Sequence, residues 1–138
     1  MSDDKILTSM IKKAEFKINL AKKSLVEDKC DLSTAASYYT MYYSAMALLY
    51  TKDKAKTPSH EPKVIEKFKN DFVNTGYFDE SELKSYINAY QEVESNGYAN
   101  PKISCPETKE RCIKTLREAE SFIKKTKQLI SEYEMINF

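Results

Sequence analysis

The sequence predicts an all-α fold: an up-and-down bundle of about five helices wrapped around a central helix at about 31–51. Three observations predict it. Between Asp31 and Lys52 there is no charged residue, and the stretch is filled with Ala, Tyr, Met and Leu. A helix that is apolar on every face belongs inside a bundle, not on its rim. Glycine occurs twice and proline four times, while charged residues make up 31%, a mix that suits long helices with solvated faces and suits strands poorly. On either side of the uncharged run, apolar residues recur at steps of three and four with lysines on the other faces. A chain of 138 residues most simply forms one domain, taken here as 1–138, large enough to bury a core without disulfide or metal staples.

The first helix starts behind Ser2, Asp3 and Asp4, which can cap and charge its N-terminus. Leu7, Ile11, Ala14, Ile18, Ala21 and Leu25 mark its buried stripe, and it ends near Asp28. Residues 27–30 turn the chain, with Asp31 as the expected N-cap of the central helix. So short a connection implies an antiparallel pair. The central run is long enough to raise a membrane span. Ser33, Ser37, Thr40, Ser44 and the tyrosine hydroxyls would then sit at bilayer depth with few partners, so a soluble helix is expected.

A polar loop with two prolines follows (TKDKAKTPSHEP, 51–62). Ser59 is the expected cap of a third helix, with His60 and Glu61 in its first turn. Val64, Ile65, Phe68, Phe72 and Val73 form its inner face. Gly76 falls where a left-handed C-terminal residue is wanted. Asp79, with Glu82 three residues on, opens a fourth helix as an acidic capping box. Its stripe is Leu83, Tyr86, Ile87, Tyr90 and Val93, and Asn96–Gly97 breaks it. Ser104 and Glu107, with Pro106 between them, read as a second capping box. The last helix then carries Cys112, Leu116, Ala119, Ile123, Ile130 and Tyr133 inward.

Composition narrows the function. The net charge is only +1, so nothing overall favours DNA or an anionic membrane. All of the 22 basic residues except Arg111 and Arg117 are lysines. Arginine is the usual residue for bidentate phosphate and base contacts, and its scarcity argues against sequence-specific DNA recognition. Cys30, Cys105 and Cys112 lack CxxC spacing, and one histidine, His60, makes a poor zinc set. No metal or cofactor is expected. The opening MSDDKILTSM lacks the basic-then-apolar order of a signal peptide, so a reduced, cytoplasmic protein is expected.

The run AASYYTMYYSAMALLY at 35–50 resembles the second helix of small HEPN-domain proteins, where alanine, two tyrosines, a Met-aromatic pair, small residues and leucines follow in that order. Ser59–His60 matches the family's Ser-His pair at the start of the third helix. Phe68, Phe72–Val73 and Gly76 match its Phe…Phe-Val…Gly pattern, with Leu83 and Ala89 continuing in register. Tyr98 falls on the tyrosine of an Arg-x-x-x-Asp-Tyr motif. The resemblance covers nearly the whole chain after Lys5. It implies a four- or five-helix bundle related to the substrate-binding helical domain of small nucleotidyltransferases. Members are often homodimers, some pair with a minimal nucleotidyltransferase in toxin–antitoxin operons, and some are metal-independent ribonucleases.

The departures from that pattern carry as much weight. Val93 stands where the family has arginine, and Gly97 where it has aspartate. No arginine precedes a histidine at the four-to-six-residue spacing of the ribonuclease branch. Cleavage at a 2′-OH wants a base of near-neutral pKa and a cation on the scissile phosphate, and Val93 supplies neither. The expected function is therefore a non-catalytic module that binds a nucleotide or polar ligand, a nucleotidyltransferase partner, or both. The alternative is a divergent RNA-cleaving toxin with His60 as its imidazole. Candidate ligand contacts are Ser59, His60, Tyr39, Tyr43 and Tyr98, with no catalytic residue assigned. Each has a plain structural counterpart: tyrosines that pack in the core or a dimer seam, and a His60 that merely caps.

Overall fold

The computed structural model describes residues 4–96 and 106–137. Five α-helices run in order: α1 Lys5–Val26, α2 Cys30–Lys52, α3 Glu61–Phe68, α4 Glu80–Asn96 and α5 Pro106–Asn137. A short 3-10 turn, Lys54–Lys56, follows α2. α3 continues through one π-helical turn, Lys69–Val73. There is no strand among the described residues, as the fold class predicted.

α2 is the axis. It packs against α1, α3, α4 and α5, and Tyr38, Met41, Ala45, Ala47, Leu48 and Leu49 along it are all buried. Small residues let its neighbours approach closely. The Ser33 hydroxyl donates across the interface to the Ala21 carbonyl of α1 at 2.9 Å. Thr40 and Ser44 donate to carbonyls one turn back, at 2.8 and 2.7 Å, so these buried hydroxyls are not left unpaired. Coverage is incomplete on one stripe. Leu32 is exposed and Tyr39, Tyr42, Tyr43, Met46 and Tyr50 are only half-buried. No helix among the described residues is long and apolar enough to cross a membrane.

A second layer of aromatic rings closes the core between α3, α4 and α5. Phe68 lies 4.9 Å from Phe78 and 5.3 Å from Phe122, centroid to centroid. Tyr86 meets Phe122 edge-on at 5.6 Å. Rings this close interact in tilted or edge-to-face geometry beyond the area they bury. α5 lays Cys112, Leu116, Ala119, Ile123 and Ile130 against α2, as its spacing predicts, but Tyr133 at the end of that series is 44% exposed.

Helix ends show where local chemistry differs from the sequence reading. Asp4 caps α1, accepting from the backbone N–H of Ile6 and Leu7. The box at α4 forms in both directions: Asp79 N–H to Glu82 Oε1 at 2.9 Å, and Glu82 N–H to Asp79 Oδ1 at 2.8 Å. Asp31 is not the cap of α2. The helix begins at Cys30 behind Lys29, with no side-chain cap, because α1 ends in a Schellman turn. Lys29 N–H reaches the Ser24 carbonyl, Asp28 N–H reaches that of Leu25, and Asp28 takes φ +62°. The turn uses up residues 27–29, so α2 starts one residue early. Ser59 likewise does not cap α3. His60 holds that position, with no side-chain cap, and Pro62 at the second helical position lacks the N–H that such a cap would accept. Gly76 is left-handed as expected, at φ +92°. The Ser104–Glu107 box lies outside the described residues.

A non-glycine residue in the left-handed region costs about 1 kcal/mol. Asp28→Gly removes that cost at an exposed position, and the expected outcome is a gain of about 0.5–1 kcal/mol in chemical denaturation. An unchanged or lower midpoint would contradict this reading of the turn.

Candidate functional site

The N-terminal end of α3 is the point where three helices bring polar side chains together. Tyr38 and Tyr42, one turn apart on α2, face it from one side, and Tyr86 and Tyr90, one turn apart on α4, from the other. The Tyr38 hydroxyl donates to Glu61 Oε1 at 2.5 Å. The Tyr42 hydroxyl donates to the Ser59 carbonyl at 2.9 Å. Tyr38 lies 6.1 Å from Tyr86 and 5.7 Å from Tyr90 between ring centroids. The Tyr86 hydroxyl is buried and has no hydrogen-bond partner.

The electrostatics of this cluster all run one way. Burial pushes the Tyr38 phenol far above its ordinary range, and its bond to Glu61 pushes further. Tyr42 is raised by burial and then by the Glu61 charge. Tyr86 is raised well above its usual value, chiefly by burial, and Tyr90 by burial and by the carboxylates of Glu94 and Glu61. At neutral pH these are four neutral phenols gathered near one carboxylate. Tyr38 and Tyr86 are fully buried, so the half-buried Tyr42 and Tyr90 are the two with ring surface to offer a ligand, and none of the four is a base for proton abstraction.

His60, the chain's one histidine, is exposed at the N-cap. Arg111 is spoken for, with Nη1 3.7 Å from Glu92 Oε1, and Arg117 is exposed on α5. Val93, at the family's arginine position, is half-buried and packs against the core. Among the described residues, no group of three His, Cys, Asp or Glu side chains is placed to hold a metal ion.

The sequence-predicted contacts divide. Ser59 does meet a tyrosine, but it is Tyr42, while Tyr38 bonds the neighbouring Glu61; neither contact involves Tyr39 or Tyr43. The latter two turn toward α1, where Lys17 Nζ stands 5.5 Å from the Tyr39 ring centre and Lys13 Nζ 5.6 Å from that of Tyr43. The two groups touch, since Tyr42 lies 5.3 Å from Tyr43 and 6.1 Å from Tyr39. Tyr98 and Gly97 lie outside the described residues. Glu61, Tyr38 and Tyr90 were not singled out from sequence as contacts. The available signal was the pair of i, i+4 tyrosines on each of α2 and α4, which places two phenols on one face.

Two contrasting substitutions test the cluster. Tyr38→Phe removes a hydrogen bond to a charged acceptor and is expected to cost about 1.5–3 kcal/mol. Tyr86→Phe removes a desolvated hydroxyl with nothing to bond, so the expected change is near zero or a gain. Urea denaturation of both variants checks the order; equal losses would deny the difference in pairing. The raised phenols also set an alkaline limit. Their folded pKa values lie above the unfolded value near 10, so the stability they lend is complete below about pH 10 and declines as pH rises above it. Tyrosinate absorbance is expected to appear in a cooperative step that coincides with loss of helical circular dichroism. Smooth titration of every tyrosine with helicity intact would refute it.

Comparison with known proteins agrees with this architecture. The HEPN domain family model matches residues 7–136. The chain is 30% identical over 126 residues to a protein of Methanocaldococcus jannaschii named "Putative toxin MJ0142", covering 90% of this chain and 81% of that one. It is 31% identical over 127 residues to "Putative toxin MJ0605" of the same organism, covering 91% and 90%.

Proposed function

We infer, from the premise that this chain belongs to the HEPN-domain family, that it is a toxin-type HEPN module that acts by binding and not by cutting RNA. Relatives named as toxins support the toxin-type assignment. The observation that carries the binding reading is the tyrosine–Glu61 cluster at the start of α3. Metal-independent cleavage at a 2′-OH requires a base and a cation facing one phosphate. This end of the bundle offers phenols held neutral and a carboxylate whose charge opposes a phosphate. The arrangement suits a polar or ring-bearing ligand, with Ser59 and His60 at its edge. The partner in this reading is a small nucleotidyltransferase, the toxin–antitoxin arrangement found in the family, and the module acts as a homodimer.

One observation favours a second reading. His60 is the one imidazole of the chain and stands exposed, so a divergent ribonuclease would use it.

Expression in a growth-arrest assay, with purified chain incubated with RNA in parallel, separates the two. The binding reading expects intact RNA, the same growth phenotype for wild type and His60→Ala, and co-elution with a nucleotidyltransferase encoded beside it. RNA cleavage by wild type that His60→Ala abolishes would replace it with the ribonuclease.

A further inference from the structure

Away from the tyrosine–Glu61 cluster, α1 carries a face that the rest of the bundle does not neutralise. Lys5, Lys12 and Phe16 follow one another at steps of seven and four, which sets them on one ridge of the helix. Lys13 and Lys17 stand beside that ridge, and with Tyr43 of α2 they line an open groove of about 590 Å³. From Lys5 to Lys17 the helix rises about 18 Å.

The charge in this groove has one sign. Its lining holds four lysines and no carboxylate. Glu15 is the one acidic residue of α1, and it is drawn away to α5, where Lys127 Nζ lies 2.6 Å from its Oε2. Asp4, at the head of the helix, is held by Lys54 at 2.9 Å. Lys22, further along α1, pairs with Glu120. Among the described residues none of the four groove lysines makes an ion pair. Lys13 and Lys17, one turn apart, are a like-charge pair that weakens a helix, and a bound anion relieves that repulsion.

Phe16 projects from the middle of this charge. It is 65% exposed and takes no part in the core, and Tyr43 offers a half-buried ring nearby. A ligand that uses both features carries anionic groups and flat apolar faces together. An acidic peptide brings the charge without the flat faces. A lipid surface calls for a broader apolar stripe than this lysine-lined ridge provides. A single strand of nucleic acid brings both, phosphate by phosphate and base by base, whereas a duplex keeps its base faces stacked inside. The lining has no arginine, asparagine or glutamine to read base edges, which are the usual readers of sequence. It has no imidazole either, so a strand here is held and not cut.

We propose that this groove on α1 binds single-stranded nucleic acid without regard to sequence, its lysines on the phosphates and a base stacked on Phe16. The groove shares no residue with the tyrosine–Glu61 cluster, so the failure of either site leaves the other standing.

Fluorescence anisotropy of the full chain with labelled oligothymidylate and oligouridylate of equal length tests this. The two are expected to bind alike, and a strand of the same length made of abasic sites at least roughly five-fold more weakly, the lower end of what one stacked base contributes. Phe16→Ala is expected to lower the affinity for oligothymidylate by that factor and to leave the abasic strand unchanged. Log affinity against log salt is expected to fall with a slope of about −2.8, at about −0.7 for each of four phosphates neutralised, and K12Q with K13Q to bring it to about −1.4. In the wild type the Phe16 ring resonances are expected to shift when oligothymidylate is added, a readout that does not rely on any variant folding. No binding at low salt, equal affinity for the abasic strand, an unmoved Phe16 ring, or duplex, polyglutamate or anionic vesicles bound as tightly as the single strand would overturn the proposal.

Discussion

A helix with no charge between its first turn and its last residue cannot rest at a surface over its whole length, and the other helices are arranged to meet that demand of α2. Burying it also buries hydroxyls, and each of these left unpaired costs about 1–3 kcal/mol. Ser33 resolves its own by donating to α1, which fixes the height of the two helices relative to each other. Thr40, Ser44 and Thr51 resolve theirs within α2, which leaves the helix free to present alanines to its neighbours. Close packing and hydrogen-bond satisfaction thus come from the same small residues.

Where cover thins, the tyrosines take over. Their rings close the edge of α2 and their hydroxyls reach outward to structure that would otherwise be loosely held. Tyr38 and Tyr42 tie the start of α3 through Glu61 and Ser59. Tyr50 reaches Asp4 at the head of α1, 3.1 Å away, and Lys54 joins the same carboxylate at 2.9 Å. Those contacts hold the Asp4 carboxyl below its ordinary range, led by the Lys54 bond. The phenols serve as tie-bars between the axis and the ends of its neighbours, and the candidate site is what forms where two of them meet a third helix.

Periodicity was enough to read α1, α4 and α5, because each has a polar face that sets the phase of its apolar one. α2 has no such face. An uncharged run shows that a helix is buried but not which residue faces which neighbour, so Tyr39 and Tyr43 were chosen where Tyr38 and Tyr42 meet Ser59 and Glu61. The capping box at Asp79 and Glu82 was legible because both partners are local. The Asp28 turn, the His60 cap and the π turn were not. Each depends on a residue accepting a less common backbone state because packing on either side requires it, and no local pattern records that requirement. The exposed Tyr133 belongs with these: spacing alone continues the α5 stripe past Ile130, but the neighbours that would cover it have ended.

Three buried polar atoms among the described residues lack a hydrogen bond: Ser37 Oγ, Tyr86 Oη and Asp71 Oδ2. Ser37 and Tyr86 are fully enclosed, at 0% exposure, and their cost is a fixed charge on folding that no solute can relieve. Asp71 differs because its charge is balanced, with the Lys67 ammonium 3.0 Å from Oδ2 and that of Lys52 3.5 Å from Oδ1. The π turn that brings Asp71 there lies on the same short helix whose other end is fixed by Tyr38 and Tyr42. α3 and its π turn therefore join an end held by phenol hydrogen bonds to an end held by an ion pair between Asp71 and two lysines.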